Sequence, residues 1–309
     1  TNINVNDGNI LKIFGGNNQG GTTNNSNINV NGAITQYIYG GNNQGGTTIN
    51  SNVIVNNGTV SKIFGGNNEG GTTTSSHVYT YGGNITDVYG GGDKAITNET
   101  HLKINSNIQN SVFGGGNEAG VNNNTYIELN NATVENNIYG GGNEGTVGKD
   151  TYINVKDTIC NNSIYAGGNG ITATVYGNTN LVMQGTKNNI KNSVFGGGNK
   201  AETGTKENNN STSLVNIVGA NVGKNVYGGA NTSIVYGITK TNIGYDAVLD
   251  SSLEKGDVKI SGTVFGGGEA NEAGSEIYDF SYISVTEGTT INIDGNGHEN
   301  FEILGSIFG

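Results

Sequence analysis

The 309-residue chain contains no proline, tryptophan or arginine, and it has only one cysteine. All 14 basic residues are lysine, and 25 acidic residues bring the formal net charge to −11. Because such a chain lacks a basic stripe for phosphate groups, nucleic acid and anionic lipid are not expected partners. The single Cys160 excludes an intramolecular disulfide, and no apolar run approaches the roughly 18 residues of a membrane-spanning helix.

Glycine is abundant instead, with 55 residues, and much of it follows an aromatic residue that recurs along the chain. The steps between successive copies are 25, 25, 25, 24, 26, 26, 30, 32, 38 and 43 residues. A repeat of this length is typical of a solenoid or a propeller. The aromatic residues are Phe14, Tyr39, Phe64, Tyr89, Phe113, Tyr139, Tyr165, Phe195, Tyr227, Phe265 and Phe308.

One repeat shows how the elements follow each other. In residues 52–55, Val53 and Val55 stand two positions apart, a period-two pattern that predicts a strand with one buried face, and a turn is predicted at 57–58. The β-branched and aromatic residues 59–64 predict a second strand. About 25 residues suffice for one coil of a parallel β-helix, whereas a propeller blade needs roughly 40. The sequence therefore predicts an all-β parallel β-helix, a right-handed solenoid of about 11 coils of about 25 residues.

We expect residues 1–309 to form one β-helix domain, with regular coils over 1–165 and coils with inserted loops over 166–309. The extra residues fall at 201–211, 233–256 and 269–280. The array opens within a strand-like segment and stops inside the aromatic motif. Because a solenoid needs capping, we expect a longer array of the same chain or end-to-end self-association.

Stacked coils would place equivalent residues in columns. The Ile or Val before each aromatic residue, such as Ile13, is expected to point inwards, as are alternating pairs such as Ile28 and Val30. A third inner column is predicted at Ile10, Ile34, Val60, Ile85, Ile108 and Val134. Together these columns would form a narrow, dry core.

The fourth residue after the aromatic residue is usually asparagine. Its amide can bond the equivalent amides above and below, as in other stacked β-structure, so we predict a structural ladder there. Asp93 and Glu269 occupy the same position in two repeats. The predicted ladder comprises Asn18, Asn43, Asn68, Asn117, Asn143, Asn169, Asn199 and Asn231.

Four ring side chains on consecutive repeats form the first group of candidate binding residues: His77, His101, Tyr126 and Tyr152. If their strands stack in register, the two histidines lie on adjacent coils, where imidazole suits zinc or copper. The sequence shows no third ligand, so no metal site is predicted, and an exposed ring stack is the alternative. The longer column of motif aromatics, from Phe14 to Phe308, could by contrast grip a sugar chain, because ring faces suit the apolar faces of sugars, and a purely architectural role is the alternative there.

Acidic residues in the inserted stretches form the second group, because glycoside hydrolysis needs two carboxylates that face a groove. No catalytic residue is predicted, however, and no phosphate-binding loop is present. Calcium-binding repeats contain Asp in the pattern Gly-Gly-x-Gly-x-Asp, and Asp is nearly absent here, so no cofactor is predicted and calcium stays an alternative. The candidate binding residues in these stretches are Asp246, Asp250, Glu269, Glu272, Glu276 and Asp279.

The units Val-Phe-Gly-Gly-Gly-Asn at 112–117 and 194–199, and Ile-Tyr-Gly-Gly-Gly-Asn at 138–143, resemble repeats of known proteins. They resemble those of large secreted or wall-attached β-helix proteins of Gram-positive anaerobes, often called adhesin-like. The resemblance covers nearly the whole chain and implies an extracellular rod that displays or contacts something. The fold also resembles pectate-lyase-like β-helices, which use a calcium-binding Asp cluster and an Arg or Lys base. This chain has no arginine and no Asp cluster on a predicted coil face.

The sequence thus predicts an extracellular or cell-surface rod, a stalk, fibre or adhesin segment, rather than an enzyme. The alternative is a carbohydrate-binding or polysaccharide-cleaving module that acts through the loops of the C-terminal half. Besides self-association, surface carbohydrate and a host protein are the expected partners.

Overall fold

A computed structural model describes residues 1–244, 253–270 and 284–309 of the chain, and it shows a parallel β-solenoid. Within these ranges the strands stack in parallel and no helix is present, which confirms the predicted fold class. The solenoid has about nine turns of about 26 residues, fewer than the eleven coils expected.

The first sheet stacks eleven strands of the described chain, each paired with the equivalent strand one coil away. Numbered in chain order, these strands are β1 (Asn2–Val5), β3 (Thr22–Val30), β5 (Thr47–Val55), β7 (Thr72–Thr80), β9 (Ile96–Ile104), β12 (Thr125–Asn130), β15 (Thr151–Lys156), β18 (Thr179–Gln184), β21 (Ser211–Ile217), β24 (Gly237–Ile243) and β27 (Gly288–Ile293). Alternate residues of each strand face the core, as the polar and apolar alternation predicts.

The second sheet carries the aromatic motif and divides into two ribbons along the solenoid. Before the division its strands are β2 (Asn9–Phe14), β4 (Ile34–Tyr39), β6 (Thr59–Phe64) and β8 (Asn84–Tyr89). One ribbon then contains β10 (Asn107–Ile108), β13 (Thr133–Val134), β16 (Ile159–Cys160), β19 (Asn189–Ile190), β22 (Ala220–Val222), β25 (Val258–Ile260) and β28 (Phe301–Ile303). The other contains β11 (Val112–Phe113), β14 (Ile138–Tyr139), β17 (Ile164–Tyr165), β20 (Val194–Phe195), β23 (Val226–Tyr227), β26 (Val264–Phe265) and β29 (Ile307–Phe308).

One additional residue causes this division. Strand β8 pairs with the next coil through Ile85 and Ile108 and again through Val88 and Val112. The two paired positions are three residues apart in β8, from Ile85 to Val88, but four residues apart in the next coil, from Ile108 to Val112. The extra residue interrupts the strand at 109–111, and the later coils keep the interruption.

Aliphatic side chains fill the space between the sheets. The Ile or Val before the aromatic residue is buried from Ile13 to Val264, and so are the alternating pairs from Ile28 and Val30 to Leu181 and Met183. These two predicted columns are confirmed over the range named. Burying each such side chain contributes about 1.5–3 kcal/mol.

The prediction of the third inner column was wrong at Ile34. Strand β4 places Thr35, rather than Ile34, beside Ile10 and Val60. Thr35 is 1% exposed and Ile34 is 57% exposed. The prediction followed the aliphatic residue type, whereas strand alternation and register decide which side chain faces inwards. A hydroxyl is buried as a result, and Thr35 Oγ1 has no hydrogen-bond partner within the described chain.

A column of buried hydroxyl groups, which no sequence pattern had revealed, joins the first sheet to the glycine turn. Thr125 Oγ1 donates to the Gly140 carbonyl at 2.6 Å, and Thr151 Oγ1 donates to the Ala166 carbonyl at 2.6 Å. The same bond is made in other coils by Ser51, Ser76, Thr100, Thr179, Ser213 and Thr239. Each bond satisfies a buried carbonyl and contributes about 0.5–1.5 kcal/mol.

The aromatic residues of the motif form one continuous stack beside the aliphatic core. Successive ring centroids lie 4.7–5.5 Å apart, and the ring planes differ by 2–13°. The stack is buried from Tyr39 to Tyr227. The Tyr227 hydroxyl donates to Glu269 Oε1 at 2.8 Å and accepts from Asn225 Nδ2 at 2.9 Å. A hydroxyl therefore finds polar partners at the edge of this stack, which explains why Tyr and Phe share the position.

Candidate binding surface on the first sheet

The predicted asparagine ladder stands at a turn of the solenoid. Each Nδ2 donates to the Oδ1 one coil earlier, at 2.7–3.0 Å, for Asn43, Asn68, Asn143, Asn169, Asn199 and Asn231, with Asn18 as the first acceptor. Asp93 interrupts the series: it accepts from Asn117 at 2.7 Å but has no N–H to donate to Asn68. At the position after Asn231 stands Glu269, which accepts from Tyr227. Within the described chain this column connects coils.

The predicted ring side chains stack on the outer face of the first sheet. Strands β7, β9, β12 and β15 place His77, His101, Tyr126 and Tyr152 at the same register position. Their centroids lie 4.8, 4.7 and 5.0 Å apart, and the ring planes differ by at most 7°. Their neighbours in the chain point into the core, so the rings project outwards.

The stacked geometry of the two histidines does not suit a shared metal ion. The lone pair of an imidazole nitrogen lies in the ring plane, so in parallel rings the two lone pairs point side by side. A zinc ion needs both nitrogens within about 2.0–2.1 Å and directed at one point. In residues 1–244, 253–270 and 284–309, no group of three or more His, Cys, Asp or Glu is placed to hold a metal. Burial, and then the nearby His101, lower the pKa of His77, which favours the neutral form of this ring.

A second column runs beside the ring column, two positions further along each strand. Its members are Tyr79, Lys103, Glu128, Asn154 and Val182. An open hollow of about 320 Å³ lies between the columns near the histidines, and another of about 230 Å³ lies near Tyr152. Tyr126 and Glu128 line both hollows, which makes them one continuous depression. We call it the first-sheet groove, lined by His77, Tyr79, His101, Lys103, Tyr126, Glu128, Tyr152, Asn154, Val182 and Leu253.

One wall of this groove comes from the inserted stretch of the C-terminal half. Lys156 Nζ lies 2.7 Å from Glu254 Oε2, and the Glu254 amide donates to Gln184 Oε1 at 3.1 Å. The Gly185 amide donates to the Glu254 carbonyl at 2.7 Å. These contacts hold the chain against β15 and β18, so that Leu253 closes the groove beside Tyr152.

The rings present mainly their edges to the groove, because their faces cover each other. At the two ends of the stack the same register position holds Asn52, next to His77, and Asn180, next to Tyr152. Asn124 Nδ2 donates to the Tyr126 hydroxyl at 2.9 Å, and the Tyr152 hydroxyl donates to Asp150 Oδ2 at 3.0 Å. Burial, and then the hydrogen bond to Asp150, raise the pKa of Tyr152 to about 12, so the hydroxyl stays a donor at neutral pH.

Polar and charged side chains along the groove are paired with one another. His101 Nε2 lies within hydrogen-bond distance of Glu99 Oε1, at 3.1 Å, and Lys103 Nζ forms an ion pair with Glu128 Oε2 at 3.9 Å. Because these pairs are partly exposed to solvent, each contributes little to stability. The paired charges leave a groove of mixed polar and apolar character without a strong field of one sign.

The structure brings the four ring residues together, and Glu269 is the predicted carboxylate that it describes. Glu269 lies beside the buried aromatic stack and not in the first-sheet groove. The other predicted carboxylates, Asp246, Asp250, Glu272, Glu276 and Asp279, lie outside the described residues. Sequence reasoning missed the second column, although a two-residue step along each strand leads to it. No sequence signal indicates the docking of Leu253.

Comparison with known proteins leaves the function open. No family model matches the chain, and it matches neither a curated protein nor a solved structure. The stacked parallel coils agree with the fold that the adhesin-like resemblance implies, without identifying that family. Among the described residues, no helix has the length and apolar character to cross a membrane.

Proposed function

We propose that this chain is part of an extracellular structural or adhesive rod whose contact surface is the first-sheet groove. The observation that carries the proposal is the uninterrupted stacking of the first sheet along the described chain. At about 4.8 Å per coil, its eleven strands span about 50 Å. A continuous core, a ring stack and hydrogen-bonded columns along the same axis support a stiff element that holds a surface at a distance.

The outward ring column supports a contact role for one face of this rod. Aromatic side chains are enriched where proteins bind partners, because they supply a large contact area at a low cost in conformational entropy. Tyr152 is 37% exposed in spite of its place in the stack. The resemblance to adhesin-like repeats supports the same function and an extracellular location.

Binding of immobilised chain to candidate surfaces tests this proposal. Beads coated with the protein would be added to purified cell-wall polysaccharide and to extracellular host proteins. We expect retention on at least one of these surfaces and its loss in a Tyr126→Ala/Tyr152→Ala variant. Tyr176→Ala is the matched control, because Tyr176 is 44% exposed but does not line the groove. Absence of retention, or equal loss in the control, would argue for a purely structural rod.

A carbohydrate-binding module is the second candidate, and the docking of Leu253 beside Tyr152 favours it. This contact places Leu253, from the inserted stretch of the C-terminal half, at the groove as an apolar wall, with polar residues at the rim. Because the charges of the groove are paired, a neutral saccharide chain suits it better than an anionic one. Calorimetric titration with neutral and with uronate-containing oligosaccharides would decide between them. Cleavage that a single carboxylate substitution within 246–279 abolishes would instead indicate a polysaccharide-degrading enzyme.

A further inference from the structure

Four Asn–Gly pairs occur in the sequence, and three of them lie in well-formed coils. Asn–Gly is chemically sensitive, because the glycine amide meets little steric hindrance when it attacks the preceding side chain. At Asn31, Nδ2 donates to Asn6 Oδ1 at 2.8 Å, and Oδ1 accepts from Asn56 Nδ2 at 2.9 Å. Asn169 is held in the same way between Asn143 and Asn199, at 2.8 and 2.9 Å.

Asn57 differs from these residues in its place in the coil. It stands one residue beyond the column of Asn6, Asn31 and Asn56, so its side chain is not held between two equivalent amides. The Gly58 amide instead donates to Asn57 Oδ1 at 2.8 Å, and this single bond keeps the Gly58 nitrogen beside the side-chain amide that it would attack. Asn57 and Asn31 are both exposed, so access of water does not distinguish them.

We propose that Asn57 is a site of spontaneous covalent modification and that the asparagine columns protect Asn31 and Asn169 from the same reaction. The Gly58 nitrogen attacks Cγ of Asn57, the N–Cγ bond forms, and the Cγ–Nδ2 bond breaks. Ammonia leaves with the proton that the Gly58 nitrogen gives up, and a succinimide remains. Water then opens either carbonyl of that ring, which gives aspartate or isoaspartate, so the net change is asparagine plus water to an acid plus ammonia.

The first coil shows that the turn accepts one of these products. Asp7–Gly8 occupies the position of Asn57–Gly58, and the Gly8 amide donates to Asp7 Oδ1 at 2.6 Å. Gly8 and Gly58 also have similar positive φ angles, 110° and 115°. The aspartate product therefore adds a negative charge without a new turn geometry. The isoaspartate product adds one carbon to the backbone between β5 and β6.

Peptide mapping by mass spectrometry tests this proposal. The folded chain would be kept at physiological temperature and mildly alkaline pH, and conversion of –NH2 to –OH would be followed at each of the three sites. Two hydrogen bonds must break before Asn31 or Asn169 can rearrange, so we expect Asn57 to react faster by on the order of tenfold or more. In concentrated urea the three rates should converge, since the same dipeptide is then free at each site.

Two variants separate protection by the column from local sequence effects. The double variant Asn6→Ala/Asn56→Ala removes both hydrogen-bond partners of Asn31. The deamidation rate of Asn31 should then rise towards that of Asn57, while the rate of Asn169 stays low. Asn57→Gln should suppress modification at the turn, because the longer glutamine side chain forms the corresponding six-membered imide ring much more slowly. Equal rates at the three sites of the folded protein, or an unchanged rate at Asn31 in the double variant, would overturn the proposal.

Discussion

At the scale of single residues, one amide group decides whether a column of hydrogen bonds continues. Asparagine carries a donor and an acceptor in the same group, so identical residues can extend a column from coil to coil. Aspartate keeps the acceptor and loses the donor. Asp93 therefore receives a bond from Asn117 but returns none to Asn68, which leaves a gap in an otherwise regular series.

Filling this gap should stabilise the rod. We expect Asp93→Asn to raise the free energy of unfolding by about 1 kcal/mol, because it supplies the missing donor. Asn143→Asp is the opposite change: it keeps the acceptor for Asn169 and loses the donor to Asn117. We expect it to lower the free energy of unfolding by a similar amount. Urea denaturation of both variants checks this, and a shift of the same sign in both would refute it.

His77 links stability to pH. Burial and the neighbouring His101 lower its pKa, while the Ser51 backbone and the Glu99 carboxylate act in the opposite direction with smaller effect. The folded protein thus binds the proton of His77 less tightly than the unfolded chain does. The stabilisation is complete above the ordinary histidine pKa of about 6.5 and decreases as the pH falls below it.

A single substitution isolates this effect from the titration of other groups. The substitution His77→Asn leaves the other groups that line this part of the groove unchanged. They are Tyr79, His101, Lys103, Tyr126 and Glu128. We expect the wild-type chain to lose more stability than His77→Asn between about pH 7 and pH 5, because asparagine does not titrate. Thermal unfolding at a series of pH values measures the difference. Parallel curves for the two proteins would show that His77 is not responsible.

At the scale of the element, the glycine turn is set by the coil that follows it. A Cβ atom on Gly141 would lie 2.9 Å from the Cα and the nitrogen of Gly168, both backbone atoms of the next coil. Gly267 holds the same position of the motif near the end of the described chain, and a Cβ there would meet no atom within 4 Å. Packing between coils, rather than a positive φ, therefore requires glycine at this position.

Alanine at these two positions should have different effects. We expect Gly141→Ala to lower the free energy of unfolding by on the order of 1–3 kcal/mol, as overpacking does elsewhere. Gly267→Ala should be neutral or slightly stabilising, since alanine restricts the unfolded chain. Melting temperatures of the two variants give the comparison. Equal losses would mean that the following coil does not set the requirement.

The elements also show what a sequence can predict. The aromatic stack and the inner column beginning at Ile13 could be predicted, because both are defined by the aromatic residue that recurs in each repeat. Ile34 was misplaced because residue type was followed where strand register decides. The hydroxyl column was missed because Ser and Thr at Ser51 and Thr125 look like ordinary strand residues. The docking of Leu253 depends on contacts between distant coils, which no local pattern encodes.

At the scale of the whole molecule, the two ends differ from the middle. Ile3, Ile291 and Ile303 pack against the core but are only partly buried, and Ile307 and Phe308 are 50% and 55% exposed. When residues 1–309 are taken by themselves, these strand edges and apolar columns are uncovered, and uncovered edges favour association with another chain. A head-to-tail contact that does not close into a ring produces a filament.

We therefore expect residues 1–309 to associate end to end as concentration rises. Ile307→Lys/Phe308→Lys should shift the equilibrium towards the monomer, because it places charge on one end. Ile171→Lys is the control, since Ile171 is 78% exposed and does not belong to the end coil. Light scattering over a concentration series measures the mass. A wild-type chain that stays monomeric at high concentration would contradict this expectation.

The asparagine columns have one more property, which concerns orientation. Every bond between equivalent asparagines runs the same way, from an N–H in the later coil to a carbonyl in the earlier one. Carboxamide dipoles that point along one axis add rather than cancel. In the described chain, each of these columns is therefore polar along the rod axis, with amide hydrogens directed towards the N-terminal coil and oxygens towards the last one. Two copies that meet tail to head present opposite partial charges, whereas two like ends repel, so any filament of this chain would have a direction.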